Sequence, residues 1–203
     1  MRSSFTRIII YLSLVWLSLS CGKSEADTPA LSRTAARIEG DYLLSRIDWE
    51  GDPVDINGDG IAGNRLYPEM MSLPMIAGHR FIAEVVVYKP ERCTGGIAIP
   101  FPIQNSSATY FGSYPVEYMS GGVLTVSIPF RIEPDGRIIT ESFKSFQVPE
   151  DELRVEIKNI HEGVAEFDDA GHLYFSACYT FYDRLTDELV SGAIKYTYTK
   201  LNS

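Results

Sequence analysis

The chain has 203 residues with 18 basic and 27 acidic side chains, a formal charge of −9 near neutrality. So large an acidic excess repels phosphate backbones and anionic headgroups, which excludes a nucleic-acid binder and argues against attachment to a membrane by charge. No internal repeat and no second domain is visible.

The first element in chain order is a leader. Arg2 and Arg7 form a short basic region, and Ile8 to Leu19 follow as about twelve uncharged residues. A helix that short cannot cross a hydrocarbon core of roughly 30 Å, which needs ~20 apolar residues. The pattern predicts a secretory signal over residues 1–20. Leu17-Ser18-Leu19-Ser20 ahead of Cys21 resembles a bacterial lipobox, although Ser18 stands where Leu is most usual. The resemblance implies acylation of the Cys21 thiol; an ordinary cleaved signal is the alternative. Cleavage removes two Arg and no acid, leaving 16 basic and 27 acidic side chains and a charge of −11. Membrane attachment then falls to the acyl chains. Residues 21–37 read as a lipidated tether with little to bury, and 38–203 as the folded domain. The expected location is the bacterial cell envelope, on its outer membrane. Lys23-Ser24-Glu25-Ala26-Asp27 is a loose likeness of the acidic export signals that some lipoproteins carry there.

After an opening strand over 41–49 comes the one motif that carries chemistry, Asp55-Ile56-Asn57-Gly58-Asp59-Gly60-Ile61. It matches the first half of an EF-hand-type loop, in which side chains at positions one, three and five converge on one ion. Gly at position six permits the sharp turn, and position seven adds a carbonyl. Asp55, Asn57, Asp59 and the Ile61 carbonyl fill those roles, and hard oxygen donors favour Ca²⁺. Position twelve, which normally closes the shell with a carboxylate, is Leu66; Glu69 is the nearest acid able to fold back. The alternative is an ion-free Asx-rich turn.

Ile38-Glu39-Gly40-Asp41-Tyr42-Leu43-Leu44, followed through Pro53-Val54 by this loop, resembles the small lipocalin-like lipoproteins of Bacteroidota-type bacteria. Leu66 and Glu69 fit the leucine-containing turn that follows in them, with Arg65 replacing an acid often found there. The likeness covers residues 38–70 and the lipobox. It implies an up-and-down barrel with no established catalytic activity, and it names no ligand.

Arg65 to Met75 predicts a helical turn limited by Pro68 and Pro74. Beyond it the apolar period is two. Leu124, Val126, Ile128, Phe130 and Ile132 alternate with Thr125, Ser127 and Arg131, and Leu153, Val155 and Ile157 alternate with charged residues. Leu173, Phe175, Ala177, Tyr179 and Phe181 define one apolar face, and Val190, Ile194, Tyr196 and Tyr198 another. Weaker runs lie at 80–89, 95–103, 108–118, 137–146 and 163–168. Ser120-Gly121-Gly122, Pro134-Asp135-Gly136 and Asp169-Ala170-Gly171 read as turns. Together they predict one all-β domain, an antiparallel up-and-down barrel. A sandwich, which must protect its edge strands, is the alternative.

With Cys21 assigned to lipid, Cys93 and Cys178 remain as a pair that would bridge in an oxidising compartment or stand as two separate thiols. His79, His161 and His172 are isolated, and no zinc spacing or nucleophile elbow occurs. Thr197-Tyr198-Thr199-Lys200 lies on a strand, and Glu150-Asp151-Glu152 and Asp168-Asp169 read as solvated loops. No enzyme is therefore expected. The leading expectation is a lipid-anchored, calcium-braced barrel binding a small apolar or glycan ligand, with the tyrosines as candidate contacts. A structural or accessory envelope protein docking a protein partner is the alternative; a hydrolase on a β-scaffold ranks third.

Overall fold

The computed structural model describes residues 29–74, 76–89, 92–105, 117–140, 161–186 and 188–201. These hold two short helices, α1 (Pro29–Ile38) and α2 (Leu66–Met71), and eight strands. The strands are β1 (Gly40–Trp49), β2 (Ile82–Lys89), β3 (Arg92–Asn105), β4 (Glu117–Ile132), β5 (Ile138–Thr140), β6 (His161–Phe167), β7 (Leu173–Asp183) and β8 (Glu188–Lys200). All eight lie in one antiparallel sheet ordered β5-β4-β3-β2-β1-β8-β7-β6. Strand β8 returns to β1, from Tyr42↔Lys200 to Trp49↔Ile194. Register shifts at Leu44/Arg46, Val87/Lys89 and Ile103/Gln104 mark irregularities of the bulge type that sharpen twist and bend a sheet. The sheet curls into a nearly closed up-and-down barrel, with a seam where β5 and β6 approach each other. The barrel expectation holds, and the sandwich does not.

Alternation places the apolar residues inside, as the period-two pattern requires. Val126, Ile128, Phe130 and Ile132 of β4, the five predicted residues of β7, and Ile194, Tyr196 and Tyr198 of β8 are all buried. Each fully buried side chain of this size contributes roughly 1.5–3 kcal/mol. Tyr42, Phe175 and Tyr198 are 0% exposed and Tyr196 1%. A ligand-sized void beside them would leave accessible surface, so this part of the interior is packed. Past Ile97 β3 has no β2 partner among the described residues. Tyr198 donates its hydroxyl to the Ala98 carbonyl at 2.6 Å, and Tyr196 to that of Pro100 at 3.2 Å. Burial pushes both phenols well above their ordinary value, which keeps them neutral donors.

Three expectations change. Part of the tether predicted over 21–37 is helix: α1 starts at Pro29 and packs Leu31, Ala35 and Ile38, spaced four and three apart, on the core. Ser120-Gly121-Gly122 is no turn but part of β4. Gly122 stands opposite Phe101, and a Cβ there would lie 2.7 Å from the Phe101 ring. The glycine serves ring packing instead of a reversal. The helical turn is confined to Leu66–Met71, with Pro68 tolerated in its first turn. The run at 153–157, most of 108–118 and the end of 137–146 lie outside the described residues, as do residues 1–28 with Cys21.

The registers sort the connections into two ends. At one end are α1, the β4–β5 turn, the β6–β7 turn and Lys200; at the other are loop 50–65, α2 and the β7–β8 turn.

Candidate functional site

The loop that carries the calcium motif is built on its own hydrogen bonds. Both Asp55 carboxylate oxygens accept backbone N–H groups, from Gly58 at 2.6 Å and Gly60 at 2.8 Å. The Asn57 side-chain oxygen accepts from Asp59 N–H, and Asp59 from Ile61 N–H, each at 2.9 Å. Gly58 and Gly60 have φ of 77° and 85°, where a side chain is strained. Position twelve cannot close a shell, because Leu66 is wholly buried in the core. Glu69, one helical turn on, does fold back: Asn57 N–H donates to its Oε2 at 3.3 Å. Burial raises the Glu69 carboxyl, and the charges of Asp59 and Asp55 add to that rise, against the Asn57 N–H bond that lowers it.

The loop thus gathers Asp55, Asn57, Asp59 and Glu69, with Asp55 and Glu69 buried and Asp59 exposed. Among the described residues no three His, Cys, Asp or Glu side chains group in the manner of a metal site. Asp183, which the sequence reading passed over, clamps this loop to the β7–β8 turn. Its carboxylate, buried at 1% exposure, accepts from Asp55 N–H at 2.8 Å and from Leu185 and Thr186. Burial works to raise this carboxyl, and those bonds, led by the Thr186 hydroxyl, outweigh it and lower it. Arg184 completes the clamp, donating to the Asn57 carbonyl at 3.3 Å beneath Gly58.

The opposite end carries a cleft of about 610 Å³ at the seam. Arg137, Ile138 and Thr140 approach from the β5 side, Glu166, Phe167, Asp168 and Asp169 from β6 and its turn, and Arg37 from α1. Tyr174 and Lys195 extend the wall around the outside of β6, with the Lys195 ammonium 4.2 Å from the Tyr174 ring centroid. Asp168 organises this wall. His172 donates its backbone N–H to it at 2.8 Å, the His172 Nδ1 lies 2.9 Å from its Oδ2, and Tyr174 donates its hydroxyl at 2.8 Å. Burial alone would raise the Asp168 carboxyl; the bonds from His172 and Tyr174 prevail and hold it at about 2. In return the Tyr174 phenol is raised, first by its bond to Asp168. The sequence showed Asp168 only as half of an acidic turn; its spacing to His172 and Tyr174 was the available signal.

Three cations and three carboxylates line this cleft, beside a phenol, a threonine hydroxyl and the apolar Ile138 and Phe167. It offers both donors and acceptors without a dominant sign of charge. Of the two alternatives for Cys93 and Cys178, bridge or separate thiols, the structure shows separate thiols with no disulfide between them. Parity on the strands separates them: Cys93 is buried on the inner face of β3, whereas Cys178 alternates with the buried Ala177 and Tyr179 on the outer face of β7. Comparison with known proteins finds no matching family model, no matching curated sequence and no matching solved structure.

Proposed function

We propose that the protein is a lipid-anchored lipoprotein of the bacterial cell envelope whose β-barrel binds a glycan in the seam cleft and catalyses no reaction. The observation that supports this most is the cleft, which is polar and balanced in charge while the buried layer inside the barrel is packed with the chain's own side chains. Of the two ligand types expected from the sequence, a sugar suits these walls better than an apolar molecule. Hydroxyls accept from Arg37 and Arg137 and donate to Glu166 and Asp169. Anchorage at Cys21 belongs to the same proposal and draws on the leader; among the described residues no helix is long and apolar enough to cross a membrane. The likeness to lipocalin-like lipoproteins agrees with the barrel and is part of the reading.

Calcium enters as a brace of loop 55–61 and Glu69, remote from the ligand. The donors are oxygens throughout, and a cation would relieve the repulsion that Asp55 and Asp59 exert on Glu69. Docking of another envelope protein is the second reading. It draws on Ile61 and Leu185, 69% and 57% exposed on the two connections that Asp183 joins.

The test is calorimetry of a soluble chain beginning at Gly22 against a panel of envelope oligosaccharides. Saturable binding is expected, weakened about tenfold by Arg137→Ala, the loss of one charge-assisted hydrogen bond. A panel without heat overturns the glycan reading, and fatty-acid labelling that persists in Cys21→Ser overturns the anchor.

A further inference from the structure

We infer that the ligand of the seam cleft is displayed by the membrane that carries the chain: it is the sugar headgroup of a glycolipid in the anchoring leaflet. This rests on the glycan reading and on anchorage at Cys21, and it comes from where α1 sits. Pro29 follows Cys21 by eight residues, which at full extension reach no more than about 28 Å. From Pro29 the chain is helix fastened to the barrel.

Helix α1 is fixed to the turns on both sides of the seam. Thr34 donates its hydroxyl to the Gly136 carbonyl of the β4–β5 turn at 3.0 Å. Gly136 has φ of 87°, and a Cβ there would lie 2.9 Å from that hydroxyl. On the other side Arg37 pairs with Asp169 of the β6–β7 turn at 3.5 Å. Lys200 at the end of β8 donates to the carbonyls of Ala36 at 3.3 Å and Arg37 at 2.7 Å, which caps the helix C-terminus. The helix cannot swing away without losing these bonds, so the end of the barrel nearest the anchor is the end that holds the cleft. Arg37 belongs both to the strap and to the cleft wall.

A headgroup in the same leaflet meets such a cleft at the effective concentration set by a short tether, which for flexible linkers is of millimolar order. A glycan free in solution gains nothing from that placement. Charge favours an uncharged headgroup: the processed chain carries −11 and is repelled by anionic lipid, while the cleft opposes three cations with three carboxylates.

The experiment uses the acylated protein in phosphatidylcholine vesicles containing digalactosyldiacylglycerol with a photoreactive headgroup, and, in parallel, the soluble chain titrated with free digalactosylglycerol. Cross-links are expected on peptides around Arg37 and Arg137, with yield falling about tenfold in Arg37→Ala. Inserting about twenty Gly and Ser residues between Asp27 and Thr28 is expected to lower the yield several-fold while the free headgroup still binds the soluble chain unchanged. Binding of the free headgroup without capture of the glycolipid overturns the inference and leaves the glycan reading standing. So does a spacer variant that cross-links as well as the parent. Failure of both arms removes both.

Discussion

Asp168 shows how one carboxylate can shape a wall. It fixes the backbone of its turn through His172 N–H and the phenol of Tyr174 through its Oδ2, and its folded value of about 2 lies below the ordinary 3.8. A carboxyl lowered on folding contributes stability that is present above its ordinary value and lost as pH falls through the folded one. The urea midpoint of the parent chain should therefore converge on that of Asp168→Asn between about pH 4 and pH 2, having exceeded it at pH 6. Because about a third of the side chain is exposed, the gap is modest; parallel curves over that range would show that Asp168 contributes nothing on folding. Glu69 has the opposite sign: its raised carboxyl penalises the folded state at neutral pH, and the penalty fades as pH falls through the folded value. The thiols give a third residue-scale prediction. Native protein should react with one equivalent of maleimide, at Cys178 on the outer face, and denatured unreduced protein should also react at Cys93. Peptides joining the two cysteines would contradict their placement on opposite faces without a disulfide.

At the scale of elements, the strands were legible wherever a period of two runs unbroken, as in β7 and β8. Glycine misled in β4, because Ser120-Gly121-Gly122 carries the chemistry of a reversal but lies within the strand, where Gly122 seats the Phe101 ring. Trp49 ends β1 in a similar fit. It stacks edge-on against Phe181 at 4.9 Å and donates its indole N–H to the Asp52 carbonyl, and a Cβ on Gly192 would lie 2.9 Å from its ring. Trp49→Ala should lower unfolding free energy by about 3–5 kcal/mol, measured by chemical denaturation. A loss below about 1 kcal/mol would mean that this end of the barrel repacks freely. Helix α1 was missed because ten residues with three apolar anchors carry too little pattern on their own. Its helicity depends on the barrel that it caps.

For the whole molecule, the two ends divide the work in the proposed reading. The α1 end holds the cleft, and the far end holds the loop expected to take calcium. Melting the soluble chain with millimolar Ca²⁺ and again with chelator separates the bracing ion from the self-bonded turn, since an ion bound only by the native state raises stability by RT ln(1 + [L]/Kd). A rise of several degrees, abolished in Asp55→Asn, is the expected outcome. Superimposable melts would leave loop 55–61 as a turn held by its own hydrogen bonds and by the clamps from Glu69, Asp183 and Arg184. Ligand and ion should add independently, because the registers put their sites at opposite ends of the strands.

The period of apolar residues determined the class and inner faces of the strands, because alternation is a local consequence of the pleat. The order Asp55, Asn57, Asp59 likewise marked a loop in which side-chain oxygens turn back on the backbone. Tertiary structure alone decided what depends on residues distant in sequence: that β8 closes on β1, that Asp183 grips Asp55, and that Cys93 and Cys178 point to opposite faces. It also decided the cleft, whose walls join Arg37, Arg137 and Asp168. Barrel closure brings those groups together, and closure is a property of the whole curved sheet that no single stretch of sequence encodes.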